Sequence, residues 1–337
     1  MTPTAPAAGL ATRQPHTLWW LAGGLCLLAL LLLVSVTTGT AQMSLLDLLR
    51  GQADEDQLQV LLVSRLPRTL AVLLAGSTMA VAGLVMQLIT RNRFVEPSTT
   101  GVTQAAGLGV LVAVVFLPQL SLWLRMVVAV GFALAGTAVL MALVRAVPSR
   151  DPVIVPLLGI ILTGVISAAG ELLAWQTGLQ GQLGIWLTGN FASVIKGRYE
   201  LLWITLIVAL LVYALASALT IVGMGEGLST SLGIDHRRVS LLGLGAVAVI
   251  SGVTTVVAGT LPFLGLVIPN LVSLLVGDYV RRSLPLVALG GALFVLLADL
   301  LGRSLIAPAE IPVGVVMGVL GSAIFVVLLS RQIRRRG

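Results

Sequence analysis

The chain has 337 residues, of which 58% are hydrophobic and only 10% are charged, and its mean hydropathy is +1.07. Soluble domains carry about 25% charged residues, so this composition excludes a soluble protein and indicates a polytopic membrane protein. The net charge of +7 would also suit a nucleic-acid binder. With a cytoplasmic N-terminus, however, most Lys and Arg residues fall in cytoplasmic loops, as membrane orientation requires. The basic balance therefore predicts contact with a lipid bilayer and no nucleic-acid partner.

The apolar residues cluster in segments long enough to cross a membrane, since about 20 residues span the hydrocarbon core as a helix. About ten such segments occur, at residues 17–36, 66–90, 99–118, 121–145, 152–177, 199–222, 239–259, 262–277, 285–303 and 311–330. The expected fold is therefore all-α, with one transmembrane domain over residues 17–330. A disordered tail at 1–16 and a basic tail at 331–337 are expected to flank it, both in the cytoplasm.

The second predicted helix begins at Arg65-Leu66-Pro67-Arg68, after an outside loop at about 37–64. It must end near Arg91 and Arg93 at the cytoplasm, because an arginine at the bilayer centre costs about 2.5–3.5 kcal/mol. Small residues at helical spacing predict that a neighbouring helix approaches it closely. These residues are Gly76, Ala80 and Gly83.

The sequence contains few residues of the types that bind metals or catalyse reactions. It has one Cys and two His residues and no G-x-x-x-x-G-K-[ST] phosphate loop, so we expect no metal site, no cofactor and no ATP hydrolysis by this chain. No nucleophile–base set is present, so an enzyme is not expected. Glu171 and Asp299 are the plausible acids within the membrane. Glu171 is either a pathway residue or a water-exposed residue at a helix end. Asp299 and Arg303, four residues apart, are expected to pair.

The cytoplasmic loop from Gly223 to Arg238 is the longest predicted inside connection. Leu228, Leu232 and Ile234 would form an apolar face on a short helix there. Such a face on a cytoplasmic loop favours a protein partner, and the alternative is a loop that folds against its own bundle.

Several motifs occur together in a fixed order. They are Arg65-Leu66-Pro67-Arg68-Thr69-Leu70, Gln87, Arg91-Asn92, Glu96-Pro97, Ser231-Leu232-Gly233-Ile234, Phe263-Leu264-Gly265-Leu266-Val267-Ile268-Pro269, Leu297-Ala298-Asp299 and Glu310-Ile311-Pro312-Val313-Gly314-Val315. With these motifs the chain resembles the iron-chelate and cobalamin ABC importer permeases from about residue 18 to residue 330.

The resemblance implies a type II ABC importer permease fold, with ten helices per subunit and inverted repeats relating helices two to five to helices seven to ten. It implies a transport subunit in a bacterial inner membrane rather than an enzyme. Two permease subunits would flank the pathway, a substrate-binding protein would dock outside, and a pair of ATP-binding cassette ATPases would dock inside.

The sequence departs from the usual family pattern at two places. Asn270 follows Pro269 where a histidine is usual, and Arg93-Phe94-Val95 stands where many members have Pro-Leu-Ala. These departures resemble the branch that carries catecholate-type ferric siderophores, which often pairs two different permease chains. The alternatives are a cobalamin or haem permease of the same family and, in another class, an ion-coupled secondary transporter that uses Glu171.

The resemblance also implies three sets of site residues. Arg65, Arg68 and Arg303 would pair with acidic residues of the binding protein, the alternative being anchoring to lipid headgroups. Asn92 and Phe94 would close the cytoplasmic exit, the alternative for Phe94 being simple packing. The loop that meets the ATPase would use Glu226, Ser229, Leu232, Gly233, Ile234 and Asp235, with Gly233 permitting a sharp turn between two short helices.

Overall fold

The computed structural model describes residues 16–37, 55–147, 154–306 and 309–334, and within these ranges the chain is helical without any strand. The α-helices are α1 (His16–Thr37), α2 (Glu55–Val60), α3 (Leu66–Thr90), α4 (Val102–Phe116), α5 (Leu122–Ala146), α6 (Ile154–Thr177), α7 (Gln180–Leu187), α8 (Leu202–Ala214), α9 (Ala216–Met224), α10 (Glu226–Ser231), α11 (His236–Ala258), α12 (Leu264–Val276), α13 (Val280–Ser304) and α14 (Val313–Arg334).

The ten predicted membrane segments each correspond to helical structure. In the described ranges seven helices are long and apolar enough to cross a membrane, and α8 and α9 form a further span that bends by 65°. The shorter apolar helices α4 and α12 complete the set. The prediction of an all-α bundle with about ten spans is thus confirmed. Of the two predicted tails, residues 1–15 and 335–337 lie outside the described residues, while His16 begins α1 and α14 continues to Arg334.

The helix that leads into α3 begins earlier than predicted. Residues 55–64, expected to lie in a loop, are helical, and Leu61–Arg65 forms a π-helical turn. Pro67 has no N–H to donate to the carbonyl of Val63, four residues earlier, so the α-helical pattern is interrupted there. The Lys196 N–H donates to that carbonyl instead, at 3.0 Å. The sequence-based prediction was wrong here because it took the proline motif for the helix start.

Two helices, α3 and α11, form the centre of the bundle, and most of each is buried. Helix α3 packs extensively along α13 and also contacts α11 and α12. The approach is close enough that a Cβ atom on Gly83 would lie 2.1 Å from the Cα atom of Gly265. A Cβ on Gly76 would lie 2.7 Å from the carbonyl oxygen of Gly291. The predicted close approach of helices to α3 is therefore confirmed.

The two short helices occupy corresponding places in the chain, since each follows one of the central helices. Helix α4 comes after α3, and α12 comes after α11. Each is preceded by a residue in the left-handed region, Gly101 with φ 80° and Phe263 with φ 63°. This arrangement agrees with the inverted repeats that the resemblance implies. Helices α1, α5, α6 and α14 lie at the periphery, where most of their surface is exposed.

Candidate functional site

The loop after α3, residues 91–99, is called the gate loop below. Asn92 is buried, and its Oδ1 accepts a hydrogen bond from the backbone N–H of Phe94 at 2.8 Å. Phe94 is 36% exposed, and its ring packs edge-on against Phe325 of α14, with the ring centroids 5.9 Å apart. Asn92 thus holds a turn that presents Phe94 toward α14. Both gate candidates from the sequence therefore lie in one local structure.

The gate loop is bound to the C-terminal half of α12. The Asn270 amide donates to the backbone oxygen of Arg93 at 2.8 Å. The Arg93 guanidinium lies 2.6 Å from Asp278, just beyond the end of α12, and 3.3 Å from the hydroxyl of Ser273. The Arg93–Asp278 pair is about half exposed, and such pairs are worth about 0.2–1 kcal/mol. The contact at Asn270 is also exposed, but its acceptor is a backbone oxygen rather than a mobile side chain.

Glu96 binds the other end of the same helix. Its carboxylate oxygens accept from the backbone N–H groups of Phe263 at 2.9 Å and Leu266 at 3.1 Å. These N–H groups belong to the first turn of α12, where a negative charge is favourable. Burial raises the pKa of the Glu96 carboxyl, while hydrogen bonds from Ser98 and the two backbone groups act in the opposite direction. The gate loop therefore caps the N-terminus of α12.

A fourth contact joins α3 itself to α12. Pro269 lies within α12 and cannot donate to the carbonyl of Gly265. The Gln87 amide fills that position, donating to the Gly265 oxygen at 2.9 Å. The end of α3, the gate loop and α12 are consequently linked along the whole length of α12. We infer that they move together.

A second charged cluster lies where α3, α13 and the start of α14 meet. The Asp299 carboxylate is 1% exposed and binds Arg68 at 2.8 Å and Arg303 at 2.7 Å. Arg68 also binds Glu310 at 2.8 Å. Arg303 in turn donates to the hydroxyl of Ser35 on α1 at 2.8 Å. The predicted Asp299–Arg303 pair is confirmed. We call Arg68, Asp299, Arg303 and Glu310 the outer charge cluster.

The three arginines predicted for docking differ in their surroundings. The Arg68 and Arg303 side chains are 12% and 7% exposed and share Asp299. Arg65 is buried, and its guanidinium donates to the carbonyl of Val36 at the end of α1, at 2.7 Å. Glu310, at 34% exposed, is the member of the outer charge cluster most open to solvent. No sequence feature indicated the role of Glu310, although Glu310 lies within one of the motifs named above.

The segment Glu226–Asp235, which the sequence predicts to lie in the cytoplasm, is called the coupling segment below. Leu228 and Leu232 are 44% and 57% exposed, and Ile234 is half-buried. The buried Ser229 hydroxyl donates to the carbonyl of Gly225 at 2.8 Å. Gly233 has φ 75°, as a sharp turn requires.

The turn at Gly233 joins the short helix α10 to the long helix α11, whereas the sequence predicted two short helices. Asp235 explains where α11 begins, because its side chain accepts from the backbone N–H of Arg238 at 3.0 Å and caps the helix. Glu226 lies in the first turn of α10 and is exposed. Of the predicted apolar face, Leu228 on α10 and Leu232 at its C-terminal end are exposed, whereas Ile234 follows the turn at Gly233 and is half-buried.

Glu171 lies apart from these groups. It is exposed on α6 and makes no hydrogen bond or ion pair with the residues that the structure describes. No group of three or more His, Cys, Asp or Glu side chains suited to a metal ion occurs in the described part of the chain.

Sequence reasoning missed several partners, namely Gln87, Glu96, Asp278 and Phe325. For Gln87 and Glu96 the sequence contained a feature that called for such a partner. A proline within a helix leaves the carbonyl four residues earlier without its usual donor, so Pro269 predicts that some side chain serves Gly265. A buried helix N-terminus likewise requires an acceptor. The identity of each partner depends on contacts between residues more than 160 positions apart, which the sequence pattern does not reveal.

Comparison with known proteins agrees with this architecture. The chain is 39% identical over 306 residues to the petrobactin import system permease protein YclN of Bacillus subtilis (strain 168), covering 91% of this chain and 96% of that protein. It is 40% identical over 271 residues to the ferric-anguibactin transport system permease protein FatD of Vibrio anguillarum, covering 80% and 86%.

A solved structure also matches. It is a metal-chelate type ABC transporter in an inward-facing conformation, which superposes with a TM-score of 0.80 at 28% identity and covers 92% of this chain and 98% of that one. The sequence model of the FecCD transport family matches residues 27–331 of the chain. The fold, these relatives and the family match agree, and the chain belongs to the FecCD transport family, as a permease subunit of an ABC importer.

Proposed function

We propose that the chain carries a ferric siderophore across a bacterial inner membrane as one permease subunit of an ATP-driven importer. The observation that carries this proposal is the identity of 39% and 40% to permeases named for petrobactin and ferric anguibactin, over most of the chain. The substrate is moved without covalent change, and the iron travels as part of its chelate. ATP is bound and hydrolysed by partner subunits.

The proposed assembly has three kinds of partner. An ATPase pair would meet the coupling segment, whose exposed Leu228 and Leu232 supply an apolar contact. A substrate-binding protein would dock near the outer charge cluster. A second permease chain would complete the pathway, and the exposed surfaces of peripheral helices are available to it and to lipid. We propose that both termini lie in the cytoplasm, which places Arg91, Arg93 and the coupling segment on that side.

The gate proposal follows from the same orientation. With the gate loop at the cytoplasmic end of α3, Phe94 lies at the inner mouth of the pathway, and a ring from each of two subunits would narrow that mouth. The contacts of Asn270 and Glu96 support this proposal because they bind the loop to α12, and Asn92 supports it because it fixes the turn that carries Phe94. Opening would then require α12 and the gate loop to shift as a unit.

Uptake into proteoliposomes tests the function. The chain is reconstituted with its ATPase, binding protein and any second permease, and ⁵⁵Fe-labelled petrobactin is supplied on the outside. We expect uptake that requires ATP inside and the binding protein outside. Radiolabelled cobalamin and haem serve as matched substrates. Uptake of either in place of the siderophore would favour the rival permeases. Siderophore uptake driven by a proton or sodium gradient without ATP would favour a secondary transporter that uses Glu171.

A further inference from the structure

A groove of about 790 Å³ lies between the cytoplasmic halves of α5 and α11, beside the start of α10. Its walls come from Ile89, Leu134, Thr137, Ala138, Met141, Ala142, Val144, Arg145, Glu226, His236, Arg237, Ser240, Leu241, Leu244 and Gly245. None of the proposed pathway or gate residues lines it. The groove has an apolar wall along the membrane segment and a polar rim at the cytoplasmic end, and nothing in the transport function accounts for it.

The apolar wall faces outward. Leu134 on α5 and Leu241 on α11 are 43% and 54% exposed, whereas the neighbouring Leu244 is buried against the bundle. From Leu134 to Arg145 the helix rises about 16 Å at 1.5 Å per residue. This is close to half of the roughly 30 Å hydrocarbon thickness, which is the depth of one leaflet. The wall therefore has the length and polarity that an acyl chain of the inner leaflet requires.

The rim carries net positive charge. Arg145 and Arg237 are exposed and form no ion pair with any residue in the described ranges. His236 also lies on the rim, and Glu226 is the one acid there. Basic groups at the cytoplasmic end of a groove between membrane helices suit the phosphate of an anionic lipid. The two arginines outweigh Glu226, so the charge of the rim complements such a headgroup.

A buried polar atom gives a second, independent sign of a ligand. The Ser240 hydroxyl lines the groove, is shielded from solvent and has no hydrogen-bond partner among the described residues. A buried hydroxyl without a partner is costly, and a bound group that hydrogen-bonds to it is one explanation of such an atom. Ser240 lies one turn from His236 and Arg237, at the level where the apolar wall meets the rim.

We propose that this groove is a binding site for one anionic phospholipid of the cytoplasmic leaflet. The phosphate lies between Arg145 and Arg237, the ester region meets Ser240, and one acyl chain follows Leu241 and Leu134. Because α10 begins at the rim, the lipid would also brace the coupling segment against the membrane. The site is independent of which substrate the transporter carries.

Native mass spectrometry of the purified full chain tests the proposal. Protein from nanodiscs containing phosphatidylglycerol or phosphatidylcholine is stripped with increasing detergent, and the retained lipids are counted. We expect one phosphatidylglycerol to persist at detergent levels that remove all phosphatidylcholine. The double variant Arg145→Gln/Arg237→Gln should lose that preference by about tenfold or more. The control Arg281→Gln/Arg282→Gln removes two exposed charges outside the groove and should retain the lipid.

A second variant separates a lipid site from a simple phosphate site. Ala138→Trp fills the apolar wall and leaves both rim arginines in place, so it should also release phosphatidylglycerol. Glycerol phosphate, which has the headgroup charge without acyl chains, should not compete at millimolar concentration. Retention of phosphatidylglycerol by both groove variants would overturn the proposal. So would normal lipid retention combined with loss of ATPase assembly in the arginine variant, which would make the rim a partner contact.

Discussion

The side-chain amide of Asn270 donates a hydrogen bond to the backbone oxygen of Arg93, at 2.8 Å. These are the two places where the sequence departs from the usual pattern of the permeases it resembles. The departures are 177 residues apart in the sequence and meet at α12. They are therefore one structural feature. Asn270 stands where a histidine is usual in the permeases that the chain resembles, and Arg93 in the facing loop stands where many of them have a proline.

The first prediction concerns this contact. Asn270→Ala removes the hydrogen bond to the gate loop, and a bond of this kind contributes about 1 kcal/mol. Because 1.4 kcal/mol corresponds to a factor of ten, the closed position of the loop should be disfavoured about fivefold. We expect faster hydrogen exchange in the gate loop and a higher basal ATPase activity in the reconstituted transporter. Asn270→His retains an N–H donor and is the matched control. Equal exchange in all three proteins would contradict the prediction.

The second prediction concerns Phe94. Phe94→Ala should open the cytoplasmic mouth and raise ATPase activity several-fold without a matching rise in siderophore uptake. Phe325→Ala removes the ring that packs against Phe94 and tests whether that contact holds the ring in place. Cysteines placed at position 94 of two permease subunits should crosslink in the closed state only. Normal transport by Phe94→Ala, with no crosslink under any condition, would identify Phe94 as a packing residue.

Much of this architecture could be predicted from sequence, since apolar length alone determines the membrane segments. The Asp299–Arg303 pair was also predictable, because it depends on helical spacing within one segment. The sequence did not show which group each charged side chain binds. Arg68 and Arg303 were expected to face a partner, yet they surround a buried acid supplied by their own chain. The sequence places residues on helices, whereas contacts between α3 and α13 depend on how the helices pack.

The third prediction concerns docking at the outer charge cluster. Arg68 is held by the buried Asp299 and the half-exposed Glu310, so an acid on the binding protein must compete with Glu310 for it. Glu310→Gln frees that side of Arg68 and should strengthen docking about two- to fivefold at low salt, with less effect at high salt. Surface plasmon resonance with the chain in nanodiscs measures this.

Arg68→Gln should weaken docking in the same assay, and the expression level and thermal stability of each variant serve as controls. Reversal of Arg68 to an acid is a poorer test, because it removes a partner of the buried Asp299 and also places a second negative charge beside it. Unchanged affinity in both neutral variants at low salt would show that the cluster has a structural role only.

The fourth prediction concerns the coupling segment. Leu232 is 57% exposed, so a charge there costs the isolated chain little stability. Leu232→Glu should nevertheless abolish co-purification of the ATPase or separate ATP hydrolysis from uptake, because it places a charge in an apolar contact. Leu232→Met keeps the apolar contact and should preserve both activities. If Leu232→Glu assembles and transports normally, the ATPase binds elsewhere.

The fifth prediction concerns the contact between α3 and α12. A Cβ atom on Gly83 would lie 2.1 Å from the Cα and 2.3 Å from the carbonyl oxygen of Gly265, so Gly83→Ala forces the two backbones apart. Overpacking costs about 1–3 kcal/mol where side chains can adjust, and here backbone atoms must move, so we expect a loss at the upper end of that range. Gly164→Ala is the matched control, since a Cβ there meets nothing within 4 Å.

Thermal unfolding of the detergent-solubilised chain measures the stability of both variants. A lower melting temperature for Gly83→Ala, with an unchanged value for Gly164→Ala, is expected because only the first substitution separates α3 from the helix to which the gate loop is bound. Equal melting temperatures would mean that α12 can shift without cost, and the proposed joint movement of α12 and the gate loop would then lose its physical basis.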